Sequence, residues 1–386
     1  MLDVAIILMI LSPYLTIIPG VGLLYIISNR KVPIYLNPLN MGLFLLFIWA
    51  FISGIVNMSL ISTIASLALL FYLFLSIYLQ HIIFDESSIQ AFIHKVWKYS
   101  LFVAVLGVVE KIASYYFDLT WIASFYLNDP IEYVYRIYST FGNPNVAGGW
   151  FAVMIIVTLY FFERNQYHER IYYTLILAVF TVALVYTGSR GATIGLEVAI
   201  LVYALLTKNK FSRAVLLSTF FIVIVLALLS PEINLDHPLN SRFPIWINAL
   251  TLFVQKPITG WGIFGILDQM NKIHAHNTWF TFLTMFGTVG LSIYLWIKVY
   301  LFKSIYLLYK NNVKLVPLIA AIQALIVVHG VVDFIMMTPQ GGVLFFASAA
   351  ITVSLTRSYE PYDQTELAEG WTTIKSILGS AKSANS

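Results

Sequence analysis

Apolar runs about as long as a bilayer is thick follow one another along almost the whole chain, separated by short polar connections. A spanning helix needs about 20 consecutive apolar residues. On that measure the pattern predicts spans near residues 3–27, 40–58, 60–84, 97–117, 145–163, 171–187, 192–207, 213–230, 278–302, 315–334 and 341–356. Pro19-Gly20 stands inside the first run. A helix broken there becomes two short helices, and the count rises from eleven to twelve. The expected fold is all-α: a polytopic membrane bundle of about 11–12 transmembrane helices. One polar interruption, from Pro231 to Asn277, is far longer than the rest and makes a large loop.

Two polar segments carry a helical period of their own. In the loop, Phe243, Trp246, Leu250 and Phe253 recur at spacings of three and four, predicting an amphipathic helix whose apolar face packs on the bundle or the interface. Pro257, Gly260 and Gly262 end it. After Arg357 the chain turns polar, and Trp371, Ile374, Ile377 and Leu378 fit either a short interfacial helix or an unstructured tail. The predicted organisation is one transmembrane unit, residues 1–356, containing the loop 231–277, with a cytoplasmic tail at 357–386.

Composition agrees: 60% of the residues are hydrophobic and 10% charged, against roughly 25% charged in soluble domains. The absence of cysteine excludes disulfides and thiolate metal ligands. Met1-Leu2-Asp3 lacks a basic n-region, so the first helix is expected to remain in the mature protein. The net charge of +4 matters less than its distribution. Alternate connections carry Arg30 and Lys31; Lys95 and Lys98; Arg164 and Arg170; Lys208, Lys210 and Arg213; Lys303, Lys310 and Lys314; then Arg357, Lys375 and Lys382. The opposite side has only Lys111, Arg136, Arg190, Arg242, Lys256 and Lys272, with Lys298 inside a span. The positive-inside rule makes the first side cytoplasmic and the long loop extracytoplasmic.

Three connections on the less basic side concentrate groups able to do chemistry. The first reads Arg136-Ile137-Tyr138-Ser139-Thr140-Phe141-Gly142-Asn143-Pro144-Asn145; its Gly, Asn and Pro favour a tight turn, and Asn145 is suited to cap the following helix. The second, Tyr186-Thr187-Gly188-Ser189-Arg190-Gly191, holds Arg190 near the headgroups. There it serves as a snorkelling anchor or, with glycines open to close approach, as a ligand contact. The third is the long loop, with Arg242 at the start of its helix and His274 and His276 just before span 278–302.

An imidazole changes charge near neutral pH and accepts a proton from a hydroxyl when held in place. Two histidines at i and i+2 are also metal-ligand types, but no clear third or fourth ligand stands at the usual spacing, Asp268 being the nearest carboxylate. No metal and no cofactor is expected. Nearer the bilayer, Glu110-Lys111 read as satisfying each other, Glu197 shares a helical face with Arg190, and His329 and Asp333 have the spacing of a pair.

Together, Phe141-Gly142-Asn143-Pro144-Asn145, Thr187-Gly188-Ser189-Arg190-Gly191, Arg242 with Trp246, Pro257 and Gly260-Trp261-Gly262, and His276-Asn277 followed by Gly287 and Gly290 resemble the O-antigen ligase and Wzy-type polymerase superfamily, polytopic glycosyltransferases of the GT-C class. The motifs stand in family order from about residue 136 to 291, each weak alone and fairly specific as a set. The spans before them carry no matching motif.

The resemblance implies transfer of a glycan from an undecaprenyl diphosphate carrier to an acceptor sugar hydroxyl. It also implies the outer side of the bacterial cytoplasmic (inner) membrane, inversion, and no metal. By motif, Arg190 and Arg242 are the expected contacts of the diphosphate and His276 the group acting on the acceptor hydroxyl, these three forming the catalytic set. Arg136, Asn143, Asn145, His274 and Asn277 are the expected further substrate contacts. The implied partners are the lipid-linked oligosaccharide, the acceptor glycan, membrane lipids and a chain-length regulator, with no nucleic acid. A polymerase, which extends another carrier-linked repeat, is preferred to a ligase acting on lipid A core or another envelope acceptor, for want of any acceptor-specific feature. A transporter or flippase for lipid-linked glycans is the reading from another class. It predicts ionisable groups or broken helices at midplane and an internal repeat, whereas here the charges gather at one face and no repeat is evident.

Overall fold

The first apolar run breaks, and it breaks earlier than Pro19-Gly20. In a computed structural model, which describes residues 2–29, 32–126, 135–210, 213, 214, 216–218, 221 and 236–359, helix α1 (Leu2–Leu11) ends before Pro13 and a 3-10 turn at Tyr14–Thr16 leads into α2 (Ile17–Asn29). Pro19 falls in the first turn of α2, where a backbone N–H has no partner within the helix and its absence costs little. The chain continues as α3 (Pro38–Val56), α4 (Leu60–Ala65), α5 (Leu67–Ile82), α6 (Glu86–Ala113), α7 (Trp121–Phe125), α8 (Pro144–Arg164), α9 (Tyr167–Thr187) and α10 (Arg190–Leu206). After the loop come α11 (Asp236–Gln255), α12 (Gly265–Met270), α13 (Thr278–Lys310), α14 (Val316–Val332) and α15 (Pro339–Arg357). The predicted span 213–230 lies largely outside the described residues, as does the predicted tail helix around 371–378.

Among the described residues no strand occurs and, with α4 and α5 taken as one run Leu60–Ile82, seven helices are long and apolar enough to cross a membrane, so the protein is a polytopic helical bundle. Burial ranks the helices. The apolar windows of α8 and α15 are each 83% buried, against 28% for α6, so α8 and α15 form the centre and α6 the lipid-facing rim. Hydrogen bonds between side chains tie the bundle where there is no water to compete. Trp97 Nε1 donates to Thr158 Oγ1 at 2.8 Å and Trp150 Nε1 to Ser100 Oγ at 2.8 Å, joining α6 to α8 twice. Lys298, the one basic residue read inside a span, is buried between α13, α14 and α15. Its ammonium lies 3.4 Å from Gln323 Oε1 and 4.2 Å from the Phe345 ring, and Gln323 in turn donates to Ser348, so the cation cross-ties three helices.

Helix α13 is two pieces. Gly287 has φ 65 and ψ −165, outside helical space and in a region that L side chains rarely adopt. The ring of Phe282 stacks on Tyr294 at 4.4 Å, although twelve residues of straight helix would separate them by roughly 18 Å. Thr278–Phe286 therefore folds back against the span that follows. The break exposes carbonyls, and the Gly260-Trp261-Gly262 motif meets them: Trp261 N donates to Thr284 O and Gly262 N to Met285 O, both at 2.8 Å, while Trp49 Nε1 of α3 donates to Phe286 O at 2.7 Å. On the other side of the break Thr288 N donates to Pro257 O at 2.8 Å. These motif glycines and this proline build a helix break.

Glu110 and Lys111 do not satisfy each other. Glu110 accepts from Tyr135 Oη at 2.7 Å and from the backbone N–H groups of Tyr138 and Ser139 at 3.0 and 2.7 Å; Lys111 Nζ donates to Tyr135 O at 2.7 Å. Both grip the segment that leads into α8. Helix α11 also departs from its predicted face. Trp246, 5.8 Å from the Phe280 ring, and the buried Ala249 turn inward, while Phe243 and Leu250 are exposed.

Candidate functional site

The C-terminal end of α14 gathers residues from four parts of the chain. Asp333 caps that end, its N–H donating to His329 O at 2.9 Å. The carboxylate accepts from Phe334 N at 2.7 Å through Oδ1, and the same oxygen lies 3.4 Å from His276 Nδ1 and 3.8 Å from His274 Nε2. His329 makes no hydrogen bond to it: both ring nitrogens of His329 are buried without a partner. The pairing predicted by the four-residue spacing is thus replaced by contacts from the loop before α13.

Asn277 sets that loop against α14. Its Oδ1 caps α13 by accepting from Phe280 N at 3.0 Å, and its Nδ2 donates to Val331 O at 2.7 Å. Its amide makes one bond at each end, which ties the loop to both α13 and α14. His276, one residue earlier, has φ 49, a left-handed conformation that an L residue holds at a cost of about 1–3 kcal/mol. Its imidazole faces Asp333.

The protonation pattern follows from the acceptors. His274 Nδ1 accepts from His276 N at 3.0 Å, so the proton of a neutral ring sits on Nε2, toward Asp333. Burial pushes His274 down to about 4, and it is neutral at neutral pH. Burial acts to raise the Asp333 carboxyl, but the hydrogen bond from His276 and the surrounding imidazoles hold it well below the usual carboxylate value. A carboxylate accepts only, so the neutral His276 tautomer that this contact favours has its proton on Nδ1 and its lone pair on Nε2. His274, His276 and Asp333 offer ligand atoms within 4.8 Å of one another, supplying the third metal-type ligand that sequence spacing did not reveal. The set fits a proton network better than a metal: His274 Nε2 cannot bind an ion while Nδ1 accepts the backbone N–H.

Three arginines surround this cluster. Arg242 donates through Nη1 to Val332 O. Arg190 opens α10, whose cap Ser189 accepts from Ala192 N. A Cβ on the next residue, Gly191, would lie 2.7 Å from Val332 and 2.9 Å from His329, so this glycine admits α14 rather than a ligand. Arg136 donates through Nε to Thr187 O and through Nη2 to Asn145 Oδ1, both at 2.6 Å, clamping the first connection to the second. Burial lowers its guanidinium from the ordinary value, Asp333 opposes that, and the charges of Arg242 and Arg190 add to it. Arg136 and Arg242 are held by backbone carbonyls close to the Asp333 end of α14, and Arg190 stands exposed beside Arg136, so this end of the bundle is attractive to a multiply charged anion.

The remaining expectations sort differently. Asn143, not Asn145, caps α8, its Oδ1 accepting from Asn145 N at 2.8 Å; Asn145 instead receives Arg136. Glu197 makes no ion pair with Arg190, and its Oε2 is buried without a hydrogen-bond partner. Sequence reasoning missed Asp333 as the partner of His276, and Glu110 as the residue that anchors the Arg136 segment.

A helical membrane bundle with arginines and an imidazole–carboxylate pair at one end is the class of protein defined by fold and site. Residues 173–295 match the family model Wzy_C, described as O-Antigen ligase, which bears out the resemblance over that segment. The match includes Arg190, Arg242, His274, His276 and Asn277, and leaves Arg136 and Asp333 outside it. A protein of Haemophilus influenzae described as uncharacterized is 26% identical over a stretch covering 33% of this chain and 38% of that protein. The similarity thus spans well under half of its length.

Proposed function

We propose that this protein is a glycosyltransferase that moves a glycan from an undecaprenyl diphosphate carrier to an acceptor sugar hydroxyl, on the extracytoplasmic side of the bacterial inner membrane. The observation that carries this reading is the 3.4 Å approach of His276 Nδ1 to the Asp333 carboxylate, which in a neutral ring with its proton on Nδ1 leaves Nε2 as the accepting nitrogen. Nε2 takes the proton of the acceptor hydroxyl as that oxygen attacks the anomeric carbon. The bond from that carbon to the diphosphate oxygen breaks with its electron pair, and Arg190 and Arg242 meet the departing charge. A diphosphate needs no proton to leave, so one base and two cations suffice for inversion, without a metal.

The acceptor of choice in this reading is another carrier-linked repeat, which makes the protein a polymerase rather than a ligase. Purified protein and a defined lipid-linked oligosaccharide test both levels. Product ladders are expected; a single addition to an envelope acceptor would reassign the protein as a ligase. His276→Ala should lower transfer about 10²–10⁴-fold, and full activity in that variant would remove the base. Arg190→Lys should also impair turnover, because a point charge does not reproduce the planar fork.

A further inference from the structure

We propose that the outward face of α11 is the track on which the donor's polyprenyl chain lies, an assignment that rests on the transfer reaction above. Phe243, Ile247, Leu250 and Val254 follow one another at spacings of four, three and four, and so share one side of the helix. They are 60%, 49%, 38% and 72% exposed, while Trp246 and Ala249 face the bundle. The stripe is therefore apolar surface additional to what packs the helix. In a membrane bundle such a stripe is surface for lipid chains, and what stands at its end decides which chain.

Helix α11 begins at Asp236, so Arg242 lies nearly two turns inside it and not at its start, and the stretch from Arg242 to Lys256 is tied at both ends to the ends of spans. Arg242 donates to Val332 O at the end of α14, and Lys256, just past the helix, donates to Asn57 at the end of α3. Thr284 Oγ1 donates to Ala249 O at 3.0 Å, seating the middle on the first piece of α13. The helix therefore lies across the ends of these spans, about 21 Å from Arg242 to Lys256, with its stripe turned outward.

The occupant follows from what stands at the head of the stripe. Phe243 is the residue after Arg242, and Arg242 reaches the same end of α14 as His276 and Arg190. A diphosphate held there presents its first prenyl unit to Phe243, and the chain continues over Ile247, Leu250 and Val254. A phospholipid presents the same combination of phosphate and apolar chain, but it would leave transfer indifferent to the length of the donor's own chain.

The test uses the full-length protein in lipid nanodiscs and two donors carrying the same oligosaccharide diphosphate, one on undecaprenol and one on a single isoprenyl unit. Ile247→Ser with Leu250→Ser removes apolar surface at exposed positions without touching the buried face. Its efficiency on the undecaprenyl donor should fall about tenfold while that on the short donor is unchanged. Equal efficiency on both donors, or an equal loss on both, would overturn the track. A polyprenyl diphosphate with a diazirine in its chain should label the peptide containing 243–254; labelling confined to the spans overturns it as well. If the wild-type protein transfers from neither donor yet the label enters 243–254, the transfer reading fails and the chain site stands.

Discussion

His276 and Asp333 are fifty-seven residues apart and meet at 3.4 Å, imidazole Nδ1 to carboxylate oxygen. A carboxylate at that nitrogen favours the tautomer with the proton on Nδ1, and the tautomer decides which nitrogen takes a proton. Asp333→Asn keeps the size of the side chain and removes its charge. Its amide can also donate toward Nδ1, which moves the ring proton to Nε2 and blocks the lone pair. Transfer should fall by about 10²–10⁴-fold through kcat, with little change in KM for the donor. Wild-type turnover in Asp333→Asn would show that the carboxylate only fills space.

His274 gives a stability signature that is independent of activity. Its folded value is lowered from 6.5 to about 4, so the unfolded chain binds a proton between those limits and the folded protein does not. The sign follows: this residue's contribution is complete above about pH 6.5 and is lost as the pH falls toward about 4, up to a limit on the order of 3 kcal/mol. Melting temperatures in detergent at a series of pH values should drop over that window. His274→Gln should flatten the drop; an unchanged pH slope in that variant would refute the buried neutral imidazole.

Much of this architecture can be read from the chain, for physical reasons that also explain the misses. Span length and apolar content report directly on a bilayer, so α3, α8 and α13 stand near their predicted positions. Arginines and histidines in a sequence with 10% charged residues are conspicuous, and Arg190, Arg242 and His276 do come to the same end of α14. Helical spacing reports only neighbours on one helix and so pairs Asp333 with His329, whereas the contact with His276 depends on how α13 folds back. Glu110 and Lys111 are adjacent in sequence and reach separately to the 135–139 segment. Helix α11 is apolar on two sides, and periodicity alone cannot say which side packs.

Glu110 tests whether the Arg136 connection is built or merely fills a gap. Its two oxygens accept three hydrogen bonds from Tyr135, Tyr138 and Ser139. Glu110→Gln sets an amide N–H against a donor at one of them, so the segment should loosen at a cost of about 1–3 kcal/mol. Arg136 follows that segment, so transfer should fall together with thermal stability, and limited proteolysis should cut near residue 135 sooner. A variant with normal stability but lost transfer would instead assign the carboxylate to the chemistry.

Gly287 carries the sharpest structural prediction, because two independent constraints meet at one residue. Its φ of 65 is strained for any L side chain, and a Cβ there would collide with the carbonyl oxygen of Ile258. Gly287→Ala must either straighten α13 or push the Pro257–Gly262 turn away. Straightening would carry Thr278, Asn277 and His276 off the end of α14, since Asn277 is tied to Val331 and His276 faces Asp333. The expected outcome is a loss of several kcal/mol of stability, read as a lower melting temperature, together with loss of transfer. Trp49→Phe removes only the donor to Phe286 O and leaves the ring position filled, so it should cost about 1 kcal/mol and keep most activity. If Gly287→Ala were as mild as Trp49→Phe, the break in α13 would not be what holds His276 against Asp333.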